Sequence, residues 1–258
     1  MPALITGASS GIGLELARIC AAHEHDVVLV ARRADALQAL ARELEGAGVR
    51  AHAIVSDLAA PGAVAALAER VRQLGLEVDI LVNNAGYGTF GRFAETPLDG
   101  ELAMIQVNII VLTELTKRLL PPMIARGRGR ILNLASTAAF VPGPLMAVYY
   151  ATKAYVLSFS EAIGEELKGT GVSVTALCPG PTASGFQARA HIEESKLVAG
   201  RKLPTSREVA EAGYRAMMAG TPIAIPGLLN KLTAFAPRVT PRRVMPGIVR
   251  RMQELRNS

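Results

Sequence analysis

Short runs of aliphatic and β-branched residues alternate with longer stretches of helical periodicity along the 258 residues. The apolar runs at 3–6, 26–30, 50–55, 80–82, 130–135, 172–178 and 223–225 predict strands. The stretches at 13–22, 35–45, 63–74, 98–126 and 148–168 predict helices. Strands that alternate with helices imply a parallel sheet covered on both faces, with right-handed crossovers. No repeat and no low-complexity linker interrupts the pattern. One catalytic α/β domain is therefore expected over 1–227, with 228–258 as a C-terminal extension rather than a second domain.

Composition narrows the class. Trp is absent, aromatics make up 4% and half the residues are hydrophobic. Such a core is built from Ala, Val, Leu and Ile, which suits helices on a buried parallel sheet. Cys20 and Cys178 are the only cysteines. That predicts a reducing, cytoplasmic compartment. The first strand starts near Met1, which argues against a signal peptide, and no apolar run reaches the length of a membrane span.

Net charge is +6, and all of the excess lies in the extension. Lys231, Arg238, Arg242, Arg243, Arg250, Arg251 and Arg256 face a single acid, Glu254. The balanced body argues against a nucleic-acid surface. Val244, Met245, Ile248, Val249, Met252 and Leu255 follow helical spacing. The extension is expected to dock on its own subunit or a partner, and contact with an anionic membrane is the second reading. Pro226, Pro237, Pro241 and Pro246 divide it into short pieces.

Ligands of such folds sit at the carboxyl ends of the strands. The residues there are turn-formers and polar groups. Gly7, Ser9, Ser10, Gly11, Ile12 and Gly13 follow the first strand and open the first helix. Glycine lets the backbone approach a pyrophosphate, which the helix N-terminus favours. The second strand runs into Arg32 and Arg33, with no acid placed to hold a ribose 2′-hydroxyl. Arginine suits a 2′-phosphate, so NADP(H) is expected over NAD(H), with Arg32 preferred to Arg33. The alternative is that both are solvated loop charges. Asp57 and Leu58 are placed to bracket an adenine, or Asp57 caps the helix beginning near Pro61.

Tyr149 and Lys153 are four apart on a predicted helix and share a face. A neighbouring ammonium lowers a phenol's pKa and fits it for proton transfer. Ser136 stands at a strand end, where its hydroxyl can bond a carbonyl oxygen. Asn108 lies among Ile105, Val107, Ile109 and Ile110. An amide there needs partners, and bends the helix or anchors a water. The motifs TGASSGIG (6–13), NNAG (83–86), Asn108, Ser136, YYATK (149–153) and PGP (179–181) occur in this order.

Together they resemble the short-chain dehydrogenase/reductase family over roughly 1–225. The resemblance implies a Rossmann-type doubly wound sheet of about seven strands in the order 3-2-1-4-5-6-7. It implies a tetrad of Asn108, Ser136, Tyr149 and Lys153, with Tyr149 protonating the substrate oxygen. It places Asn83, Ala85, Gly86, Pro179, Gly180 and Thr182 along the cofactor, with Tyr149 and Lys153 reaching it as well. It also implies a homodimer or homotetramer and a lid near 182–204.

The lid's Phe186, His191, Ile192, Leu197, Val198 and Leu203 suggest a lipophilic ketone, aldehyde or alcohol, or else simply pack a small helix. No ligand cluster surrounds His191, so no metal is expected. The basic extension departs from the 3-oxoacyl-thioester reductases, which remain an alternative. A nucleotide-binding sensor without turnover is a third reading, but it has no need of the Tyr149–Lys153 pair. Epimerases and dehydratases on this fold are usually longer.

Overall fold

The computed structural model describes residues 1–190, 192, 195, 196, 200 and 202–254, with backbone alone for Arg189. His191, Leu197, Val198, Leu255 and Arg256 lie outside the described residues.

Seven strands form one parallel sheet: β1 (Ala3–Thr6), β2 (Val27–Ala31), β3 (Ala51–Val55), β4 (Ile80–Asn83), β5 (Gly129–Leu134), β6 (Val172–Leu177) and β7 (Ile223–Ala224). Their order is β3-β2-β1-β4-β5-β6-β7, as the resemblance implied. β1, β2 and β4 are buried along their whole length. A central strand covered on both faces is apolar on both. β3 lies at the edge, and its burial alternates.

On one face lie α1 (Gly11–Ala22) and α2 (Ala34–Gly46). On the other lies α3 (Ala63–Gln73). The stretch expected as one helix over 98–126 is three pieces. α4 (Leu98–Ile105) and α5 (Leu112–Ala125) flank a π-helical segment at Gln106–Val111. α6 (Ala147–Glu166) carries the Tyr–Lys pair. The short α7 (Phe186–Ala190) lies in the segment expected as a lid, and α8 (Ser206–Met218) packs beside α1. α8 opens on a capping box, Thr205 with Glu208.

The extension folds as α9 (Leu228–Phe235), a 3₁₀ turn (Ala236–Arg238) and α10 (Met245–Gln253). Pro246 starts α10, where a missing N–H costs nothing. Among the described residues, no helix is long and apolar enough to cross a membrane.

The strand order reverses between β1 and β4. Crossovers depart to opposite faces there, and a crevice opens beyond the strand ends. A cavity of about 650 Å³ occupies it.

Candidate active site

The glycine turn is built around an asparagine. Gly7 and Gly11 have φ of +68° and +59°, the left-handed region that favours glycine. A Cβ on Gly7 or Gly13 would fall 2.7 or 2.3 Å from Asn84 Nδ2. That amide donates to the Thr6 and Gly7 carbonyls at 2.9 and 3.2 Å. Gly7, Ser9, Ser10, Gly11 and Ile12 border the cavity, whereas Gly13 supports the turn from behind. Ser10 offers α1 no side-chain cap, which leaves the helix's first amides for a ligand.

Arg32 and Arg33 are both exposed at the cavity edge. Arg33 is tied to the glycine turn, donating from Nη2 to the Ser9 carbonyl at 2.7 Å. Arg32 makes no such bond. Asp57 and Leu58 also border the cavity. α3 starts only at Ala63, so Asp57 does not cap it. Asp57 instead accepts from the Ala59 amide at 3.1 Å.

Beyond β4 the cavity is bordered by Asn84, Ala85, Gly86 and Tyr87. Asn83, expected along the cofactor, turns into the interior. Its Nδ2 donates to Thr116 Oγ1 at 3.0 Å and Asn133 Oδ1 at 2.9 Å. Strand side chains alternate in direction, so one residue changes the face. Pro179, Gly180 and Thr182 border the cavity. A Cβ on Gly180 would overlap Asn230 of α9, so this glycine seats the extension.

The four polar residues of the chemical end come from three segments, with Tyr149 and Lys153 both on α6. Asn108 sits in the π-helical turn and is buried. Its Oδ1 accepts from the Tyr87 amide at 3.2 Å, and its Nδ2 donates to the Tyr87 carbonyl and to Thr152 Oγ1 at 3.0 Å each. The bend expected at this residue is thus a π-helical turn, a feature often found at functional positions. Ser136 caps the 3₁₀ turn at Thr137–Phe140, accepting from the Ala138 amide at 3.1 Å and donating to the Pro179 carbonyl at 3.3 Å.

Lys153 is buried, and Nζ donates to the Leu134 carbonyl at 2.6 Å. It lies 5.8 Å from the centroid of the Tyr149 ring. Burial pushes its pKa down to about 8. Burial also raises the Tyr149 phenol well above its usual range, with the hydrogen bond from Ser136 pulling the other way. The lowering expected from Lys153 is not what sets the phenol here; burial dominates, and the one opposing effect is the Ser136 hydrogen bond. Tyr150 is packed against Gly143 and is also raised, to about 12, by burial. Tyr149 is the tyrosine with both Ser136 and Lys153 beside it.

A sequence model of the short chain dehydrogenases matches residues 2–195. The chain belongs to the short-chain dehydrogenase family. This short-chain dehydrogenase is 34% identical over 215 residues to a ketoacyl reductase, HetN, of Nostoc sp., covering 83% of this chain and 74% of that one. A short-chain dehydrogenase from Sphingobium yanoikuyae, solved in complex with NADPH, is 34% identical, with a TM-score of 0.83 and 93% of each chain covered. The bulky-bulky ketone specific alcohol dehydrogenase from Comamonas testosteroni is 29% identical, with a TM-score of 0.78 and again 93% of each chain covered.

Family members are oxidoreductases that act on small molecules with a nicotinamide cofactor. The residues of this dehydrogenase fit such a dinucleotide. The uncapped α1 terminus and the side-chain-free Gly7 and Gly11 make room for a pyrophosphate. A Cβ on Gly86 would lie 3.0 Å from Asn108 Oδ1 and 3.6 Å from Lys153 Nζ, so this glycine lets the chain after β4 pack closely against both.

The far end of the cavity comes largely from residues that the motifs do not mark. Phe186 and Ile192 of the lid border it. So do Thr233, Ala236, Pro237, Thr240, Met245, Ile248, Val249, Met252 and Gln253 of the extension. Met245 and Val249 pack in one cluster with Tyr149, Tyr150, Met146 and Phe186. α10 therefore docks on its own subunit, as the first reading of the extension expected, and it does so as a wall of the site. The amphipathic spacing of α10 was the signal for this packing. Among the described residues, no group of His, Cys, Asp and Glu is arranged to hold a metal.

Proposed function

We propose that this dehydrogenase interconverts a carbonyl and an alcohol with NADP(H), acting on a lipophilic ketone or aldehyde. The observation that carries this reading is a continuous cavity in which Ser136, Tyr149 and Lys153 stand where a glycine-lined end meets an apolar end. A bound nicotinamide supplies the hydride. In reduction, the Tyr149 hydroxyl gives its proton to the carbonyl oxygen as the carbon receives the hydride. Ser136 donates a hydrogen bond to that oxygen. Lys153 holds the nicotinamide ribose and keeps a positive charge beside the phenol. Asn108 fixes the turn against α6 and places a water in the proton path.

The preference for NADP(H) rests on Arg32, which is exposed at the cavity edge and, among the described residues, makes no side-chain hydrogen bond or ion pair. No acid stands at the end of β2. The Sphingobium structure with NADPH supports the same choice. The wide apolar end and the Comamonas bulky-ketone enzyme favour a lipophilic substrate. The Nostoc relative keeps a 3-oxoacyl thioester as the second substrate reading. The test is NADPH consumption with bulky ketones and with a 3-oxoacyl thioester. Turnover of bulky ketones supports the first reading, turnover of the thioester alone supports the second, and cofactor binding without turnover of either supports the sensor.

Leu98, Leu102 and Ile110 are exposed on α4 and the π turn. We assign them to the surface between copies of a homodimer or homotetramer.

We further infer that the outer face of the extension rests on an anionic membrane surface. Leu228, Leu229, Leu232 and Phe235 of α9 are each more than half exposed, as is Val239. Lys231, Arg238, Arg242 and Arg243 lie among them. Apolar side chains interleaved with cations suit a lipid headgroup layer. A two-fold contact between copies would set this basic face against itself. The inner side of the same segment borders the cavity through Thr233, Ala236, Pro237 and Thr240, so a lipophilic substrate would enter beside the membrane.

A further inference from the structure

Gln253 lies in the last turn of α10 and is 1% exposed. Among the described residues its Nε2 is buried with no hydrogen-bond partner, yet the residue borders the cavity. Interiors rarely keep an unpaired amide donor, because its desolvation is not compensated. Gln187 is also a buried carboxamide on the cavity wall, and its Nε2 is satisfied by the Thr182 carbonyl at 2.5 Å. The unpaired donor therefore calls for a partner that enters the cavity.

Its position indicates what that partner is. Met245, Val249 and Gln253 recur every fourth residue and are all buried, so they share one face of α10. The first two belong to the cluster that contains Tyr149. At the helical rise, Gln253 lies about 6 Å beyond Val249 and about 12 Å beyond Met245 along the axis. Ile192, Ile248, Val249 and Met252 give this part of the wall its apolar surface, with Gln187 and Ser195 as polar residues beside them. Lys196 holds the end of α10 beside Gln253. The Lys196 amide donates to the Glu254 carbonyl at 3.1 Å, and Lys196 Nζ pairs with Glu254 Oε2 at 3.2 Å.

We propose that Gln253 is a specificity-determining residue whose Nε2 donates to a second, acceptor oxygen of the substrate. An apolar span separates that oxygen from the reacting carbonyl. The substrate class is then a lipophilic ketone or aldehyde with a distal ether, ester or carbonyl oxygen. This inference rests on the carbonyl–alcohol reading given above.

The test uses the full chain with NADPH, 2-dodecanone and analogues in which an ether oxygen replaces successive methylenes. An ether oxygen accepts and never donates, so a preference for it reports the amide N–H. In the wild type, one oxygen position should exceed the parent ketone in kcat/KM by roughly tenfold, as a directional bond discriminates more sharply than apolar fit. In Gln253→Leu that ratio should fall to about one, and Gln253→Glu should not restore it. Thermal unfolding without substrate gives a second readout. A leucine removes an unpaired donor, so Gln253→Leu should melt at or above the wild type, whereas loss of a structural amide would lower the melting point. No preferred position in the wild type, or an unchanged preference in Gln253→Leu, overturns the inference and leaves the proposed reaction standing. If the wild type reduces none of these ketones and oxidises none of the matching alcohols, the proposed reaction falls and the inference with it.

Discussion

Asn108 Nδ2 donates to Thr152 Oγ1 across 3.0 Å, and Thr152 Oγ1 donates in turn to the Tyr149 carbonyl at 2.7 Å. A π-helical turn is thereby tied to the first turn of α6, one residue before Lys153. The same amide holds both backbone groups of Tyr87. Asn108→Leu orphans those groups. It should cost about 1–3 kcal/mol of stability in urea unfolding and reduce kcat. Thr152→Val should cost less, because Asn108 keeps its bonds to Tyr87.

The two arginines after β2 separate by what they hold. Arg33 secures Ser9, so Arg33→Ala should weaken NADPH and NADH alike. Among the described residues the Arg32 side chain holds no partner, so Arg32→Ala should weaken NADPH by roughly tenfold or more and leave NADH nearly unchanged. Fluorescence titration of both cofactors against both variants measures this directly.

Much of this fold is legible in the sequence because its central strands are buried on both faces. Such strands are continuous apolar runs, and their number and approximate limits follow. The same property hides the direction of each side chain. β4 is buried at every position, so nothing in its pattern tells which of Asn83 and Asn84 faces the cavity. Asn83 was expected there and Asn84 is found there. The π turn was hidden for a related reason, since one extra residue in a helical turn hardly changes an apolar period. Asn108 alone marked the place. That Arg32, Ser136, Tyr149 and Lys153 would border one cavity was legible, because each stands at a strand end or a helical spacing fixed by local geometry. Gln253 and the other far walls were not, because only tertiary packing brings residues after 228 to the site.

Lys153 should show in the pH dependence of folding. Burial lowers its pKa from 10.5 to about 8 in the folded chain. Between those values the unfolded chain holds the proton that the folded chain has released, so stability rises with pH across this window. Below about pH 8 both states are protonated, and the full cost of burying the ammonium applies. The gain from pH 8 to pH 10 should be on the order of 2–3 kcal/mol. It should be absent in Lys153→Met, so the difference between the two urea-unfolding series isolates it.

The extension gives a prediction about surfaces. The protein should sediment with vesicles containing phosphatidylserine and not with neutral phosphatidylcholine vesicles, and added salt should release it. Leu228→Asp with Leu229→Asp, or Arg242→Glu with Arg243→Glu, should abolish the binding. Equal binding to neutral vesicles would remove the electrostatic part of the account, and no binding to either would remove the membrane.

The central claim is that Tyr149, not Tyr150, moves the proton. The most direct measurement is NADPH consumption on a bulky ketone by the wild type, Tyr149→Phe and Tyr150→Phe, with cofactor affinity measured for each. The account predicts that Tyr149→Phe loses turnover by about 10²–10⁴-fold while it still binds NADPH, and that Tyr150→Phe stays active. A fully active Tyr149→Phe beside an inactive Tyr150→Phe would contradict it.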